Sequence, residues 1–221
     1  MRIGFISRGT LRKFKEECNR LCDDAYADLL LFGFDGVGEV SYEKELKGES
    51  DFFADVAILS KLQKNVVISG CVTDTRGIKR KSAVVAEKGK LLGVSDMLHA
   101  LDGKIGCGAA LKIYDTAQGK IGVVVAEDFL FAEGLESLSR CGCDFIVCPF
   151  GRLTDSLQSV LIRAYAFRCG LPILLCGQGY AMVAAHTGEL IFASPQSPTF
   201  FKFEKRQEYH LIETRRRLCL P

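Results

Sequence analysis

The residues best suited to chemistry lie where two apolar runs in the second half of the chain end. Cys148 closes one run directly before Pro149, and the carboxylates Glu127 and Asp128 follow the other. A thiolate is a strong nucleophile once a base takes its proton, so Cys148 could attack a carbonyl carbon with Glu127 or Asp35 as the base. The competing interpretation is a small buried core side chain. We favour it because no histidine or lysine lies near Cys148 in the sequence to lower its pKa.

Other charged side chains in this region could bind a ligand rather than react. Arg152 and Arg163 carry guanidinium groups, which can hold a carboxylate through two parallel hydrogen bonds, although a structural ion pair is the more frequent use. Glu127 and Asp128 are adjacent, and adjacent residues of an extended chain point to opposite sides. We therefore do not expect them to work together as an acid–base pair, and we expect Asp128 to bond to local backbone.

The ten cysteines and three histidines show no spacing typical of a metal site. Cys18 and Cys22 are one pair and Cys141 and Cys143 another, but neither pair has a second half at zinc-ligand spacing. We expect no metal and no cofactor, and we interpret most of the cysteines as buried, reduced thiols. Because the N-terminal residues lack the apolar segment of a signal peptide, the sequence predicts a cytoplasmic protein.

Length and charge exclude several classes of protein. The chain has 221 residues, of which 48% are hydrophobic and 25% charged; these are globular proportions, which exclude disorder and coiled coil. Lys and Arg total 29 against 27 Asp and Glu, a net charge of +2, which is too small for a protein built around a nucleic acid. No apolar stretch reaches the roughly 18 residues of a membrane helix, so we expect no membrane partner.

Apolar runs alternate with helical periodicities along the chain. Apolar runs typical of strands occur at 3–7, 28–32, 66–69, 145–149 and 172–176, and the nearly continuous run at 28–32 indicates a strand covered on both faces. Apolar residues recur at helical spacing at 11–25, 53–59, 131–141 and 157–167. Hairpins are predicted for 82–86 with 91–94, 112–114 with 121–125 and 181–185 with 190–193, and a last strand for 209–212. Since no repeat or linker interrupts these elements, we expect residues 1–221 to form one layered α/β domain.

Residues 119–151 carry the most specific signal. The run Gly119-Lys120-Ile121-Gly122-Val123 is followed by Asp128, Phe131 and Glu133. This block resembles the nitrilase (carbon–nitrogen hydrolase) superfamily, in which G-K-I-G-V precedes C-x-D/E-x-x-F-P-E. Weaker similarity at 82–93, 163–176 and 208–217 extends it over most of the chain. The resemblance implies a four-layer α-β-β-α sandwich of two mixed sheets, and a homodimer by analogy.

The resemblance also implies a catalytic set of one cysteine, one glutamate and one lysine. They serve as nucleophile, proton carrier and oxyanion stabiliser. The positions that match them here are Ala126, Phe34 and Met97, all apolar. The match of Ala126 to the nucleophile position is the best defined, because Gly122 and Asp128 fix the register of the motif on either side of it. Losing one member of such a set can cost about 10⁴–10⁶ in rate, so we expect no catalytic residue among these positions.

We therefore predict a non-catalytic binding or scaffold protein, with three questions left open. The apolar replacements could pack the site closed, which we favour, or line a pocket for a small neutral ligand. Residues of such a pocket are Asp35, Glu127, Cys148 and Arg152. An alternative is an amidase or nitrilase-type hydrolase with Cys148 as a relocated nucleophile. A further alternative, a partner of an active homologue, predicts an exposed apolar helix face.

Overall fold

The computed structural model describes residues 1–21, 26–34, 36–101, 103–152 and 157–204, without the side chains of 17–21 and Arg152. Its strands are β1 Arg2–Ile6, β2 Leu29–Phe32, β3 Gly38–Ser41, β4 Val66–Thr75, β5 Ile78–Glu87, β6 Lys90–Asp96, β7 Lys112–Thr116, β8 Gly119–Val123, β9 Phe145–Arg152, β10 Ile173–Gln178, β11 Tyr180–Ala184, β12 Leu190–Ser194 and β13 Thr199–Lys202. Its helices are α1 Leu11–Leu21, α2 Tyr42–Lys47, α3 Phe52–Leu62, α4 Ala132–Arg140 and α5 Leu157–Cys169, with a 3-10 helix at Ala126–Leu130.

Within the described residues, the strands form two mixed sheets. The first has the order β13-β1-β2-β4-β5-β6, with β3 pairing alongside β4. The second has the order β12-β11-β10-β9-β8-β7. At the centre of each sheet the strands are parallel, β1 with β2 and β4, and β8 with β9 and β10, while the outer hairpins are antiparallel. Parallel strands end at one edge of their own sheet, and the hydrogen bond from the N–H of Phe34, after β2, to the carbonyl oxygen of Phe150 in β9 brings these edges of the two sheets together.

Alternation along the strands divides the core into three apolar layers. Ile3 and Phe5 of β1 pack between the two sheets. Ile6, on the other face of β1, packs with Leu11 of α1 and Val56 of α3. On the far side of the second sheet, its strands pack with α4 and α5. Helices therefore cover both outer faces, and the predicted α-β-β-α sandwich is confirmed.

Most predicted elements are present, and the differences have local causes. The run at 66–69 is the start of a much longer strand, β4, which pairs with β5 over ten positions through a turn at Arg76 and Gly77. The sequence did not predict β3, α2 or β13. No residue of α2 is buried, so this short helix has no apolar periodicity to reveal it. The strand predicted at 209–212 lies outside the described residues.

None of the helices in the described part of the chain is long and apolar enough to cross a membrane.

Candidate active site

The turn after β8 positions Ala126. The chain leaves the sheet through Val124, whose N–H donates to Val147 O at 3.0 Å, and enters the 3-10 helix at Ala126. The φ angle of Ala126 is +48°, in the left-handed region that residues other than glycine rarely adopt. Such a sharp turn from strand to helix raises one side chain above the edge of the sheet. Here that side chain is a methyl group.

A buried carboxylate ties this turn to the segment that follows β6. Asp128 accepts hydrogen bonds from the backbone N–H groups of Leu98 at 2.7 Å and His99 at 2.8 Å, and its Oδ1 lies 2.9 Å from His99 Nδ1. Two of these partners are backbone N–H groups, as the prediction of a backbone partner expected, but they are distant in sequence rather than local, and the third is the His99 ring. Asp128 thereby holds the chain next to Met97, whose own N–H donates to Lys81 O at 2.8 Å.

Phe34 lies in the loop after β2, where the two sheets meet. Its N–H donates to Phe150 O of the second sheet at 3.1 Å. Gly70 lies directly beneath the loop, and a Cβ at Gly70 would come within 2.5 Å of the Phe34 Cα. The absence of a side chain at Gly70 is therefore what allows the loop to pack this closely on β4.

The structure brings Phe34, Met97 and Ala126 into one layer. All three belong to the hydrophobic cluster between the sheets, with exposures of 8%, 2% and 1%. Three segments that are far apart in sequence thus contribute three apolar side chains to a single buried region. This region can pack apolar groups, but these three side chains cannot attack, protonate or stabilise a reacting atom.

The sequence did not predict the charged pair beside these residues. Lys81 Nζ lies 2.5 Å from Glu127 Oε1, and the two side chains are only 28% and 26% exposed. The ammonium group also lies 5.7 Å from the centre of the Phe34 ring, within the range of a cation–π contact. Glu127 Oε2 is buried with no hydrogen-bond partner among the described residues. The sequence offered one indication of this pair: Lys81 directly precedes the predicted strand 82–86.

Glu127 and Asp128 take separate partners, Lys81 and the segment after Met97. Their separation was predicted for an extended chain, but both residues lie in the 3-10 helix.

Cys148 does not share the layer between the sheets. It packs in the outer cluster beneath α4 and α5, and its thiol contacts the Ala126 carbonyl oxygen at 3.9 Å. Burial raises the pKa of Cys148 well above its usual value, and the nearby charges of Asp128 and Glu127 raise it further. Cys148 packs under the helices, whereas the Glu127 carboxylate pairs with Lys81, and this arrangement disfavours a nucleophile–base pair.

A second cysteine, Cys176, does lie in the layer between the sheets. Complete burial raises the pKa of its thiol, and only a backbone hydrogen bond from Ile6 opposes the shift. Since burial favours the neutral thiol, this cysteine too is a poor nucleophile at neutral pH.

Two predicted pocket residues cannot be placed. Asp35 lies outside the described residues, and only the backbone of Arg152 is described, paired with Gln178 at the end of β9. Across the described ranges, no group of three His, Cys, Asp or Glu side chains is arranged to hold a metal ion.

Comparison with solved structures identifies this architecture. A cysteine-to-alanine mutant of the Nesterenkonia AN1 amidase from the nitrilase superfamily superposes with a TM-score of 0.78 over 99% of this chain and 95% of its own, at 15% identity. The chain has the nitrilase-superfamily fold. A carbon–nitrogen hydrolase from Helicobacter pylori G27 gives 0.72 at 17% identity, covering 90% of this chain and 87% of its own.

Saccharomyces cerevisiae Nit3, a member of branch 10 of the nitrilase superfamily, gives a TM-score of 0.75 at 16% identity, covering 99% of this chain and 94% of its own. No family model matches the sequence, and no curated protein matches it. The resemblance of residues 119–151 thus agrees with the nitrilase-superfamily fold. Sequence identities of 15–17% to these solved structures show a shared fold and nothing about activity.

Proposed function

We propose that this protein is a non-catalytic member of the nitrilase fold that acts as a scaffold or binding module. The observation that carries the proposal is the burial of Phe34, Met97 and Ala126 in one apolar layer. By resemblance, these are the positions of the proton carrier, the oxyanion stabiliser and the nucleophile. A solved amidase with this fold carries an active-site cysteine that adds to acrylamide, and a methyl group at Ala126 has no electron pair with which to do so.

The neighbouring polar groups do not replace the missing chemistry. The Lys81 ammonium could stabilise an oxyanion, but its charge is already balanced by Glu127 at 2.5 Å. An oxyanion forms only after a nucleophile has attacked. The thiols of Cys148 and Cys176, which pack in the clusters on either side of the second sheet, are fully buried, and burial favours their neutral form.

Ammonia release from a panel of amides and nitriles tests the proposal. We expect the purified protein to release no more ammonia than buffer, while an active amidase of the same fold serves as positive control. Turnover by the wild-type protein that disappears in Cys148→Ser would contradict the proposal and establish Cys148 as a relocated nucleophile. Turnover that survives Cys148→Ser would also contradict it and would place the chemistry elsewhere in the chain.

A second candidate is binding of a small neutral molecule without turnover. The observation that favours it is a cysteine-to-alanine mutant of the Nesterenkonia amidase, which was solved in complex with butyramide. Ala126 corresponds by resemblance to the mutated position. Titration with butyramide, followed by the methyl resonance of Met97, tests this function. A saturable shift of this resonance supports ligand binding. If the resonance does not shift, ligand binding is ruled out and the scaffold function is the remaining proposal.

Self-association is part of the proposal. Along α5, Leu157, Val160, Ala164 and Phe167 are all exposed, and their spacing places them on one helix face. Exposed apolar surface of this kind typically marks a contact with another protein, and we propose that a second copy of this chain covers it. Sedimentation equilibrium is expected to show a dimer that Val160→Glu dissociates. A wild-type monomer at all concentrations would contradict this assignment.

We further propose a cytoplasmic location, since every cysteine that the structure describes is a free thiol, as in reducing compartments. Fractionation of cells that express a tagged form of the chain tests this location.

A further inference from the structure

A cavity of about 190 Å³ lies where β1, the loop after β2 and the end of β10 meet. Its walls combine apolar side chains, Ile6 and Phe34, with polar groups from the segment 7–10. Lys81 and Glu127 do not line it, so it is distinct from the charged pair described above. Phe34 contacts both regions, with the cavity on one side and the Lys81 ammonium near its ring.

Ser7 supplies an unsatisfied polar group to the wall of this cavity. The residue is 3% exposed, and its Oγ has no hydrogen-bond partner among the described residues. Ser7 continues the alternation of Ile3 and Phe5, which face the layer between the sheets. Leaving a buried hydroxyl without a partner is unfavourable, so a ligand that accepts or donates a hydrogen bond here would remove that cost.

Arg8 supplies a positive charge beside Ser7. It forms no ion pair with a carboxylate in the described part of the chain, and its backbone is fixed by Ser197, whose Oγ accepts from the Arg8 N–H at 2.9 Å. The guanidinium lies over Gly179, where a Cβ would come within 3.3 Å of Arg8 Nε. Gly179 has a φ of +81°, so both the space and the backbone angle favour glycine there. The missing side chain at Gly179 thus leaves room for the guanidinium at this point.

The first turn of α1 adds a second source of positive potential. Gly9 and Thr10, which precede the eleven-residue helix, line the same cavity. Thr10 Oγ1 accepts from the Lys13 N–H at 3.4 Å, and Leu11 N–H donates to Gly36 O at 2.7 Å, which fixes the start of the helix. The N-terminal end of a helix carries a partial positive charge that favours anions.

We propose that this cavity binds a small aliphatic carboxylate. Its charged end lies between the Arg8 guanidinium, the Ser7 hydroxyl and the start of α1, and its short apolar end contacts Phe34 and Ile6. The volume admits only a few non-hydrogen atoms, which excludes nucleotides and peptides. This ligand site goes beyond the proposed non-catalytic function, because it requires neither the presence nor the absence of hydrolysis.

Titration of the isotope-labelled protein with sodium butyrate at low ionic strength tests the site. We expect saturable shifts of the Gly9 and Gly179 amide resonances. Arg8→Gln should weaken binding at least about tenfold, as the loss of a charge-assisted hydrogen bond implies, and Ser7→Ala should weaken it by about threefold. Arg12→Gln is the matched control: Arg12 lies in the first turn of α1, and its Nε pairs with Asp55 at 2.7 Å, so affinity should stay within about twofold.

Butyramide, which has the same shape without the charge, separates this site from a neutral-ligand site. It should not shift Gly9 or Gly179, whatever it does at Met97. The proposal is overturned by any of three results: no saturable butyrate shift, equal affinity for butyrate and butyramide at these two glycines, or wild-type affinity in Arg8→Gln. Because ammonia release plays no part in the readout, failure here is distinguishable from failure of the proposed function.

Discussion

The Lys81–Glu127 pair gives the sharpest energetic test of the candidate site. Each side chain is about three-quarters buried, and the charged atoms are 2.5 Å apart. Two unit charges at 4 Å attract by about 4 kcal/mol at an effective dielectric constant near 20, and the loss of hydration offsets part of that attraction. Exposed pairs measure about 0.2–1 kcal/mol, whereas breaking a fully buried pair costs about 3–5 kcal/mol. The intermediate burial here predicts a coupling energy of about 2 kcal/mol.

A double-mutant cycle measures this coupling directly. Lys81→Met, Glu127→Gln and the double variant are compared with wild type by urea unfolding at neutral pH. Lys81→Met should lower the free energy of unfolding by about 2–3 kcal/mol, because it leaves the Glu127 carboxylate without its partner in a largely dry site. The double variant should recover most of that loss. High salt should change the coupling little, since bulk ions screen buried charges weakly.

A neighbouring pair is a matched control on the same strand. Lys79 Nζ lies 2.6 Å from Glu39 Oε1, nearly the same distance, but the side chains are 45% and 55% exposed. Its coupling should be much smaller and should vanish in high salt. Equal coupling energies for the two pairs would refute the reasoning, because burial is the only difference on which the prediction relies.

The other predictions concern the packing of the Phe34 loop, the thiols and alkaline pH. Gly70→Ala should lower the free energy of unfolding by about 1–3 kcal/mol, since its Cβ would press on the Phe34 Cα at 2.5 Å. Iodoacetamide should modify exposed Cys107 long before Cys148, whose pKa burial raises; mass spectrometry of the native protein gives the order. Burial raises the pKa of Cys71 from 9.0 to about 12, so the unfolded thiol ionises first and stability should fall as pH rises from about 9 to about 12.

Each of these has its own check. Gly151→Ala, whose Cβ would meet none of the described atoms within 4 Å, should leave stability nearly unchanged, and an equal loss in both variants would remove the steric explanation for Gly70. Preferential labelling of Cys148 would contradict its burial. The pH slope between about 9 and about 12 should become shallower by one proton in Cys71→Ala, and an unchanged slope would mean that other groups account for alkaline unfolding.

The layers of the fold could be predicted from the sequence because burial on two faces leaves a strong compositional signal. β2 and β10 are nearly continuous apolar runs that read as covered strands. The segments that were missed carry little such signal: β3 is a short strand that contains Glu39 and ends in polar Ser41, and α2 buries nothing. Their structure depends on pairing and packing with β4, which is a tertiary effect.

The apolar composition of β9 made the strand predictable, but it hid which sheet face the Cys148 side chain lies on. In β9, Phe145 and Val147 face the layer between the sheets, whereas Ile146 and Cys148 face the helices. Since both faces are apolar, no alternation of polar and apolar residues shows which face is which. Register with the neighbouring strands decides it, and register is not visible in one strand alone.

Lys81 was missed because its role depends on contacts across two sheets. Its strand pairs with β6 so that Ser82 lies opposite Asp96, and the Lys81 carbonyl then receives the N–H of Met97. The turn after β8, in the other sheet, brings Glu127 to the Lys81 ammonium. Lys81 alone resembles an ordinary surface charge in the sequence, and Glu127 was predicted as a pocket residue without a cationic partner. Only the packed sandwich makes them a pair.

The backbone at Ala126 shows that the geometry of the turn does not depend on a reactive side chain. A left-handed conformation costs a residue with a Cβ roughly 1–2 kcal/mol, and an apolar filler gains nothing from it. The surroundings impose it: Val124 is bound to β9 on one side, and Asp128 is bound to the backbone of Leu98 and His99 on the other. With both ends fixed, residue 126 must turn sharply whatever its side chain is. The same constraint that would present a reactive side chain therefore holds a methyl group in place.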